Sequence, residues 1–250
     1  MNADKLKGFA LVRGKVWNYI GVNRRLSAVA CRFCIFEMTS KKIFVFGASG
    51  HAKVVIDILE RLPAVKVAFA VDDAPVTKSK TLCGYAVLGG REALLAQRKQ
   101  ATAGIVTIGD NKARSEIAAW LVAQGFRLAS AVHPAATLAR DVSIGDGTVI
   151  MAGCVVNSDA AIGANVIVNT GATVDHDCII GDGVHIAPGC HLCGNVEVGA
   201  GSFLGAGTIV IPGVRIGANV LIGAGSTVTA NVADGARVAG SPARALERAK

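Results

Sequence analysis

Two side chains that could move a proton stand next to each other at His176 and Asp177. Histidine titrates near physiological pH and serves as a general base, and an adjacent carboxylate can orient its ring and raise its basicity. Such a pair could take the proton from an amine or a hydroxyl that attacks an acyl group. A surface histidine without a function is the alternative, and it applies equally to the nearby His185 and His191. The interpretation therefore depends on what the fold places beside His176.

A second group of candidate residues follows three predicted strands in the first half of the chain. The segment Gly47-Ala-Ser-Gly-His51 precedes a helical stretch, where backbone N–H groups can approach a phosphate. It lacks the third glycine of the dinucleotide-binding loop, so dinucleotide binding is not supported and a simple tight turn is the alternative. Asp72-Asp73 and Gly109-Asp-Asn111 end two other strands, either as solvated loop residues or as ligand contacts. We expect a nucleotide-like ligand at this rim, bound by Gly47, Ser49, Gly50, His51, Asp72, Asp73 and Asn111.

These rim residues are positioned by an alternation of strands and helices. Short apolar runs predict buried strands, and the stretches between them have helical character. This order is typical of a small Rossmann-like α/β domain with a parallel sheet, in which the carboxyl ends of the strands share one rim. The predicted strands are 43–46, 67–71, 85–88 and 104–108, and the predicted helices are 52–62, 91–100 and 112–124.

The second half of the chain has a six-residue period. Every sixth residue from Val132 to Val228 is aliphatic, seventeen times in succession, and four residues after each stands Ser, Thr, Ala, Cys or Val. A short period sustained in this way predicts a parallel β-helix, with the large side chain pointing inward and the small one filling the space beside it. A β-sandwich with alternating strands is the alternative, but it would not hold a six-residue phase for so long.

The period also gives His176 a neighbour. Three hexads close one triangular coil, so residues eighteen apart stack on each other. The residue eighteen positions after His176 is Gly194. Its backbone N–H would lie one rung away, with no Cβ to obstruct an acyl group, and could stabilise an oxyanion. This pairing favours a catalyst over a surface histidine.

The charge of the chain is concentrated at its beginning. The formal net charge is +8, and residues 1–37 hold seven basic and two acidic side chains, which accounts for +5. The remainder is weakly basic, so nucleic-acid binding is not indicated. Residues 1–37 show no period and are expected to be a disordered leader, with a membrane-surface segment, the tail of an upstream domain and a non-native leader as alternatives. The functional fold is expected to begin at Met38, and no stretch is long enough to span a bilayer.

Seven cysteines suggest a metal or redox site that their positions do not support. Cys154, Cys178 and Cys190 each occupy the small position of a hexad, which packing explains. The pairs Cys31-x-x-Cys34 and Cys190-x-x-Cys193 each resemble half of a zinc site, but structural zinc usually needs two pairs at characteristic spacing. We expect reduced thiols in a cytoplasmic protein, without a bound metal.

From Lys41 to the C-terminus the chain resembles the nucleotide-sugar acetyltransferases of the bacillosamine type and the related sialic-acid O-acetyltransferases, the PglD and NeuD type. The resemblance covers roughly 210 of 250 residues. It rests on the order and spacing of six motifs: Phe46-Gly-Ala-Ser-Gly-His51, Val71-Asp-Asp73, Ile108-Gly-Asp-Asn111, His133-Pro134, Val174-Asp-His-Asp-Cys178 and Gly240-Ser-Pro-Ala-Arg244.

The resemblance implies a homotrimer of left-handed β-helices, with acetyl-CoA lying along the coils between subunits. It implies that the N-terminal domain holds the nucleotide part of a UDP-sugar. His176 then matches the catalytic base and His185 a second active-site histidine, while Asp177 stands where the bacillosamine enzymes carry glutamate. The implied acetyl-CoA contacts are His185, Gly194, whose amide would polarise the thioester carbonyl, Gly205 and Arg244.

The sequence thus predicts an acetyl-CoA-dependent N-acetyltransferase acting on the amino group of a UDP-linked 4-amino-deoxy sugar, by direct transfer and without a metal. The alternatives are a sugar O-acetyltransferase of the sialic-acid type and a non-catalytic nucleotide-binding trimeric scaffold. The predicted domains are the leader 1–37, a Rossmann-like nucleotide-sugar-binding domain at 38–130, the β-helix at 131–233 and a C-terminal tail at 234–250 formed by a turn and a short helix.

Overall fold

The computed structural model describes residues 41–74 and 81–246 of the chain. The first part is an α/β unit that alternates strands with helices, as predicted. Its elements are β1 (Lys41–Phe46), α1 (Gly50–Glu60), β2 (Val65–Val71), β3 (Thr81–Leu82), β4 (Tyr85–Leu88), α2 (Arg91–Ala96), β5 (Ala103–Val106), α3 (Asn111–Ala123) and β6 (Arg127–Leu128).

One six-stranded sheet organises this unit, in the order β3-β4-β2-β1-β5-β6. β1 pairs in parallel with both β2 and β5. Successive side chains of β1 face opposite sides of the sheet. Ile43 and Val45 belong to a core shared with α1 and the β-helix, whereas Phe44 and Phe46 belong to a core shared with α3. The carboxyl ends of β1, β2 and β5 therefore lie side by side at one rim.

The second part is a parallel β-helix. Seventeen two-residue strands begin at every sixth residue, from β7 (Ala131–Val132) to β23 (Thr227–Val228), and each ends on one of the predicted aliphatic residues. Strands eighteen residues apart pair in parallel, as Val149 does with Ile167. The aliphatic residues are buried from Ile150 onward, and so are the small residues four positions after them, up to Ser226. The prediction of a β-helix is confirmed.

The coils have three faces, which we number in chain order. Face 1 begins with β7, face 2 with β8 (Thr137–Leu138) and face 3 with β9 (Ser143–Ile144), and each face then adds every third strand. The corners are named by the faces that they join, as corner 1/2, corner 2/3 and corner 3/1. In these terms His176 stands at corner 2/3, and α3 lies against corner 3/1.

The C-terminal segment differs from the prediction. Residues Arg237–Ala239 form β24 and Arg244–Ala245 form β25, an antiparallel pair that extends face 1. The short helix predicted after the turn was wrong as far as residue 246, because the open edge of the last coil offers backbone hydrogen bonds that local propensity does not reflect. The predicted leader 1–37 lies outside the described residues. Across 41–74 and 81–246, no helix combines the length and apolarity needed to cross a membrane.

Candidate active site

The predicted base and its carboxylate form a close pair at corner 2/3. His176 Nδ1 lies 2.8 Å from Asp177 Oδ2, and both side chains are 55% exposed. Because an ionised carboxylate only accepts hydrogen bonds, Nδ1 carries the proton and Nε2 keeps a free lone pair. The hydrogen bond to Asp177 raises the pKa of His176, and the charges of Asp175 and Asp177 add to the effect. The ring is therefore oriented to accept a proton at Nε2.

Asp177 also suits the backbone at this corner. Its φ of 58° is left-handed, a conformation that aspartate and asparagine tolerate better than most residues. Asp141, Asp159 and Asn195 occupy the same place in neighbouring coils, with φ of 60°, 62° and 59°. The geometry of the corner and the orientation of His176 thus both favour aspartate at position 177. Although aspartate is shorter than glutamate, the Asp177 carboxylate reaches the His176 ring.

Asp175 supports the corner on which His176 stands, a role that sequence reasoning missed. Its Oδ1 accepts hydrogen bonds from Asn157 Nδ2 at 2.7 Å and from the His176 backbone N–H at 2.8 Å. The bond from Asn157 lowers the pKa of Asp175 below its ordinary value, so this carboxylate is ionised at neutral pH. Asn157 and Asp175 are eighteen residues apart, and the coil period was the signal that could have found them.

Gly194 is buried in the coil after His176, at the place that the period predicts. A Cβ on Gly194 would lie 2.5 Å from His176 Cε1 and 2.6 Å from Nε2. Glycine is therefore required for the ring to lie where it does. Within the described part of the chain, no acceptor is found for the Gly194 N–H. The residue next to the imidazole ring thus has a free backbone donor, which is the kind of group that an oxyanion site uses.

The glycine-rich loop at the rim is held by Asp72. One carboxylate oxygen of Asp72 accepts a hydrogen bond from the Ala48 N–H at 2.6 Å, and the other accepts one from the Ala74 N–H at 2.8 Å. α1 begins at Gly50, and the preceding Ser49 makes no side-chain capping bond. The first N–H groups of α1 are therefore open to an anion such as a phosphate.

The remaining rim carboxylates have structural partners. Asp73 Oδ2 lies 3.0 Å from Arg91 Nε, and its other oxygen accepts the Arg91 N–H at 3.2 Å. Asp110 accepts the Ala113 N–H at 2.8 Å and thereby caps α3. A ligand that contacts Asp73 would share it with Arg91.

His185 lies on face 1, where the rim meets the β-helix. Its Nε2 is 3.2 Å from Asn169 Nδ2, and its Nδ1 is 3.4 Å from the Gly109 carbonyl oxygen. Burial, and then the charge of Arg114, lower the pKa of His185 to about 4. His185 is therefore neutral at physiological pH. Neither Asn169 nor Arg114 was singled out by sequence reasoning.

His51 reaches the same region from the glycine-rich loop. Its Nε2 is buried and has no hydrogen-bond partner in the described part of the protein. Burial, and then the charge of Arg114, lower the pKa of His51 to about 4. A buried ring nitrogen without a partner is costly, and a bound ligand could supply the missing group.

The predicted acetyl-CoA contacts lie at different heights of the β-helix. Gly205 follows β19 (Phe203–Leu204) at corner 1/2, where a Cβ would lie 2.5 Å from the Ala224 nitrogen. Arg244 is exposed on β25, which extends face 1, and its Nη1 donates to the Ala243 carbonyl at 2.9 Å. His185, Gly205 and Arg244 thus follow face 1 and its edge, whereas Gly194 lies at corner 2/3.

A single chain does not bring the base and the rim together. His176 stands at corner 2/3, whereas Asn111 Nδ2 donates to the Gly201 and Ser202 carbonyls at corner 3/1, at 2.9 and 3.0 Å. No hydrogen bond or ion pair joins His176 to the rim residues among those described. The two halves of the predicted site thus occupy different corners of the prism.

The cysteines of the β-helix lie where the hexads place them. Cys154, Cys178 and Cys190 are buried and free, and burial raises the pKa of Cys178 to about 11. Across the described ranges, no three His, Cys, Asp or Glu side chains are grouped so that they could hold a metal ion. The pair Cys31 and Cys34 lies outside these ranges.

Comparison with known proteins assigns both parts of the chain. Residues 42–121 match the model of the PglD N-terminal domain, and residues 141–176, 177–211 and 195–230 match bacterial transferase hexapeptide repeats. With its α/β unit and left-handed β-helix, the protein is a hexapeptide-repeat acyltransferase.

Two relatives with solved structures identify the family within this class of acyltransferases. PerB of Caulobacter crescentus, solved with CoA and GDP-perosamine, is 40% identical, with a TM-score of 0.78 over 82% of this chain and 97% of PerB. The acetyltransferase domain of PglB from Neisseria gonorrhoeae, solved with acetyl coenzyme A, is 36% identical, with a TM-score of 0.77 over 83% of this chain and all of that domain. The chain therefore belongs to the family of acetyltransferases with a PglD N-terminal domain and hexapeptide repeats that contains these two proteins.

A curated relative points the same way over a shorter length. The UDP-N-acetylbacillosamine N-acetyltransferase of Bacillus subtilis is 35% identical over 121 residues, which is 45% of this chain. The match spans 52% of that relative, about half its length.

Proposed function

We propose that the protein transfers the acetyl group of acetyl-CoA to the amino group of a nucleotide-linked amino-deoxy sugar, with a UDP-linked 4-amino sugar as the first candidate. The observation that carries this proposal is the His176–Asp177 pair, whose imidazole ring packs against Gly194, a residue whose N–H has no acceptor among the described residues. The relatives support the substrate class, because one is named for a UDP-linked sugar and another holds GDP-perosamine together with CoA.

The transfer is a direct attack. The amine lone pair adds to the thioester carbonyl, and the Gly194 N–H donates to the oxygen that becomes negative. His176 Nε2 takes the proton from the nitrogen and returns it to the sulfur as the C–S bond breaks, which releases CoA thiol and the acetamido sugar. Asp177 holds the ring throughout and stabilises its protonated form.

The acceptor is held at the rim. The open N-terminus of α1 takes the diphosphate, while the loop braced by Asp72 and the neighbouring Asp73 and Asn111 contact the rest of the nucleotide. His51 Nε2 gains its missing partner when this ligand binds. His185, Gly205 and Arg244 contact acetyl-CoA along face 1.

The complete site forms between subunits of a homotrimer. The rim of one chain rests on its own corner 3/1, and its own His176 stands at corner 2/3. A neighbouring subunit that presents corner 2/3 to this rim supplies the base. Acetyl-CoA then lies in the groove between the two β-helices.

A substrate panel tests the proposal. UDP-, GDP- and dTDP-linked amino sugars and free sialic acid are incubated with acetyl-CoA, and products are identified by mass spectrometry. We expect a mass increase of one acetyl group on an amino sugar nucleotide. Transfer only to a hydroxyl of sialic acid would replace N-acetylation by O-acetylation, and no CoA release with any acceptor would support a non-catalytic scaffold.

Substitution of the base identifies the residue responsible. His176→Ala should lower turnover by roughly a hundred- to ten-thousand-fold, the usual range for loss of a general base. CoA binding measured by calorimetry should change little, because His176 acts on the acceptor. The matched control is His191→Ala, at an exposed histidine on face 2, which should keep wild-type turnover. Near-normal turnover of folded His176→Ala would refute the assignment.

A further inference from the structure

The largest fully buried side chain of the described residues is a charged one, Arg114 on α3, which is 1% exposed. Its guanidinium reaches the β-helix at two successive coils of corner 3/1. Nε donates to the Asn165 carbonyl at 3.0 Å, and Nη2 donates to the Gly183 carbonyl at 2.7 Å. These two acceptors are eighteen residues apart, so Arg114 bridges neighbouring coils.

The same guanidinium holds the rim. Nη1 donates to the carbonyls of Ile108 and Gly109, each at 3.2 Å, and Nη2 donates to Asn111 Oδ1 at 2.9 Å. Asn111 in turn donates to the next coil of corner 3/1. Arg114 therefore ties the loop after β5 to three successive coils.

A link that served stability alone would not need a buried cation. No carboxylate forms an ion pair with Arg114 among the described residues, and the acceptors named above are backbone carbonyls and one side-chain amide. Burying a charge is costly, and apolar replacements of buried ionic groups are often as stable or more so. The planar guanidinium can do what apolar groups cannot, which is to fix several carbonyls in defined directions.

One of these carbonyls orients His185. Asn169 Oδ1 accepts the Thr170 N–H at 2.8 Å, so Asn169 presents Nδ2 to His185 Nε2. His185 Nε2 must then be the acceptor, and the proton lies on Nδ1, which faces the Gly109 carbonyl at 3.4 Å. Gly109 is thus shared between Arg114 and His185.

We propose that Arg114 is a positioning residue of the active site, which fixes the Gly109 carbonyl and the Asn111 side chain on the β-helix and so holds His185 in one tautomer beside the rim. The proposal rests on the acetyl-transfer function given above. Arg114 itself is enclosed by protein, so it acts through the groups that it holds.

The electrostatics agree with this geometry. The groups packed around His185 are Arg114, His51, Asn169, the Gly109 carbonyl and the ring of Phe203. Of the charged or titratable members, Arg114 lowers the pKa of His185 more than His51 does. Arg114 remains a cation, since burial lowers its own pKa only to about 10. Removing its charge should therefore raise the pKa of His185.

The first experiment reads His185 directly, in the full chain and without substrate. Ring ¹⁵N spectra are recorded for wild type, Arg114→Met, Arg114→Lys and the control Arg61→Met, with His185→Gln assigning the signal. Arg61 is an exposed cation at the end of α1, paired with Asp57. We expect the Nδ1–H tautomer in wild type and control. In Arg114→Met we expect a mixture of tautomers and a pKa shifted upward from about 4 but still lowered, because burial is the larger cause of the low value and remains.

The second experiment is kinetic and uses the nucleotide sugar with the highest turnover in the panel. Arg114→Met should lower kcat/KM about a hundred-fold, the scale of a small misplacement of reacting groups. Adding His185→Gln to Arg114→Met should lower kcat/KM little further, because both changes disrupt the same connection from Arg114 through the Gly109 carbonyl to His185. Arg114→Lys keeps the charge but not the forked geometry of the guanidinium. It should therefore keep the low pKa of His185, while its kcat/KM still falls about ten-fold.

The outcomes separate the proposals. An unchanged His185 tautomer and titration in folded Arg114→Met, or multiplicative losses of kcat/KM in the double variant, would overturn the positioning role. If Arg114→Met does not fold, Arg114→Lys decides: a wild-type rate contradicts the role, and a ten-fold loss at an unchanged thermal midpoint supports it. If wild type transfers no acetyl group to any acceptor, the proposed function fails, while the spectra still test Arg114.

Discussion

The two histidines of the candidate site have opposite environments. His176 is exposed and hydrogen-bonded to a carboxylate, which raises its pKa. For His185, burial and then the charge of Arg114 lower the pKa to about 4. Environments that shift the pKa values of two titratable groups in opposite directions suit the two groups to different roles. His176 is suited to accept a proton at neutral pH, and His185 is suited to remain a neutral hydrogen-bonding group.

The pH dependence of the reaction follows from the raised pKa of His176. The base must be unprotonated, so kcat/KM should fall as the pH drops through a pKa above the ordinary value of 6.5. Asp177→Asn removes the carboxylate and should move this acidic limb to lower pH, with a lower plateau because the base is weaker. Rate profiles from pH 5 to 9 measure both effects. An acidic limb at the same pH in both enzymes would contradict the role of Asp177.

The space above His176 can be tested at the neighbouring glycine. Gly194→Ala places a Cβ against the imidazole ring, so we expect a lower thermal midpoint and a turnover reduced about a hundred-fold by displacement of the base. The double variant His176→Ala/Gly194→Ala removes the clash and should recover the thermal midpoint but not the turnover. Equal midpoints in the two variants would show that the steric argument is wrong.

At the scale of elements, the β-helix was predictable because the aliphatic residue of each hexad identifies the position that points inward. The seventeen strands end on the predicted aliphatic positions, and Gly194 stacks where the period puts it. Elements whose partners are not fixed by a local period were less predictable. The tail pairs as β24 and β25 instead of forming a helix, and the capping of α3 by Asp110 was not predicted.

The rim elements give a prediction on acceptor binding. Asp73→Ala frees Arg91 and removes a carboxylate from the end of β2, so we expect KM for the nucleotide sugar to rise about ten-fold while KM for acetyl-CoA is unchanged. Steady-state kinetics with each substrate varied in turn measures the split. The control Asp57→Ala removes an exposed ion pair of α1 and should alter neither value. Equal increases in both KM values for Asp73→Ala would indicate general misfolding instead.

At the scale of the whole molecule, the placement of the α/β unit on the β-helix was not predictable from the sequence. It depends on an apolar core shared by β1, α1 and the first coils, and on Arg114 and Asn111, whose acceptors are backbone carbonyls in distant coils. Every residue has a backbone carbonyl, so the sequence does not show which carbonyl accepts such a hydrogen bond. The motifs therefore name residues of both halves of the candidate site, whereas a site shared between subunits was expected only from the family resemblance.

Mixing inactive subunits tests the shared site. His176→Ala lacks the base, and Asp72→Ala lacks the brace of the rim loop. If neighbouring subunits supply these two parts, randomly assembled 1:1 mixtures should regain about one quarter of wild-type activity, since a site needs an intact half from each neighbour. CoA release before and after subunit exchange measures the recovery, and light scattering should give a trimer mass. Active monomers, or no recovery in confirmed mixed trimers, would refute the arrangement.

The corner that carries His176 has a consequence for how such enzymes diversify. Successive coils place Ser158, His176, Gly194 and Pro212 at this position, yet the carbonyls of Ser158, His176 and Gly194 each accept a backbone hydrogen bond from the following coil. The fold thus tolerates unrelated side chains at the site where chemistry takes place. Selection can change the reaction at a corner without selecting again for folding, and duplication of one coil would provide a spare copy on which a new activity could arise.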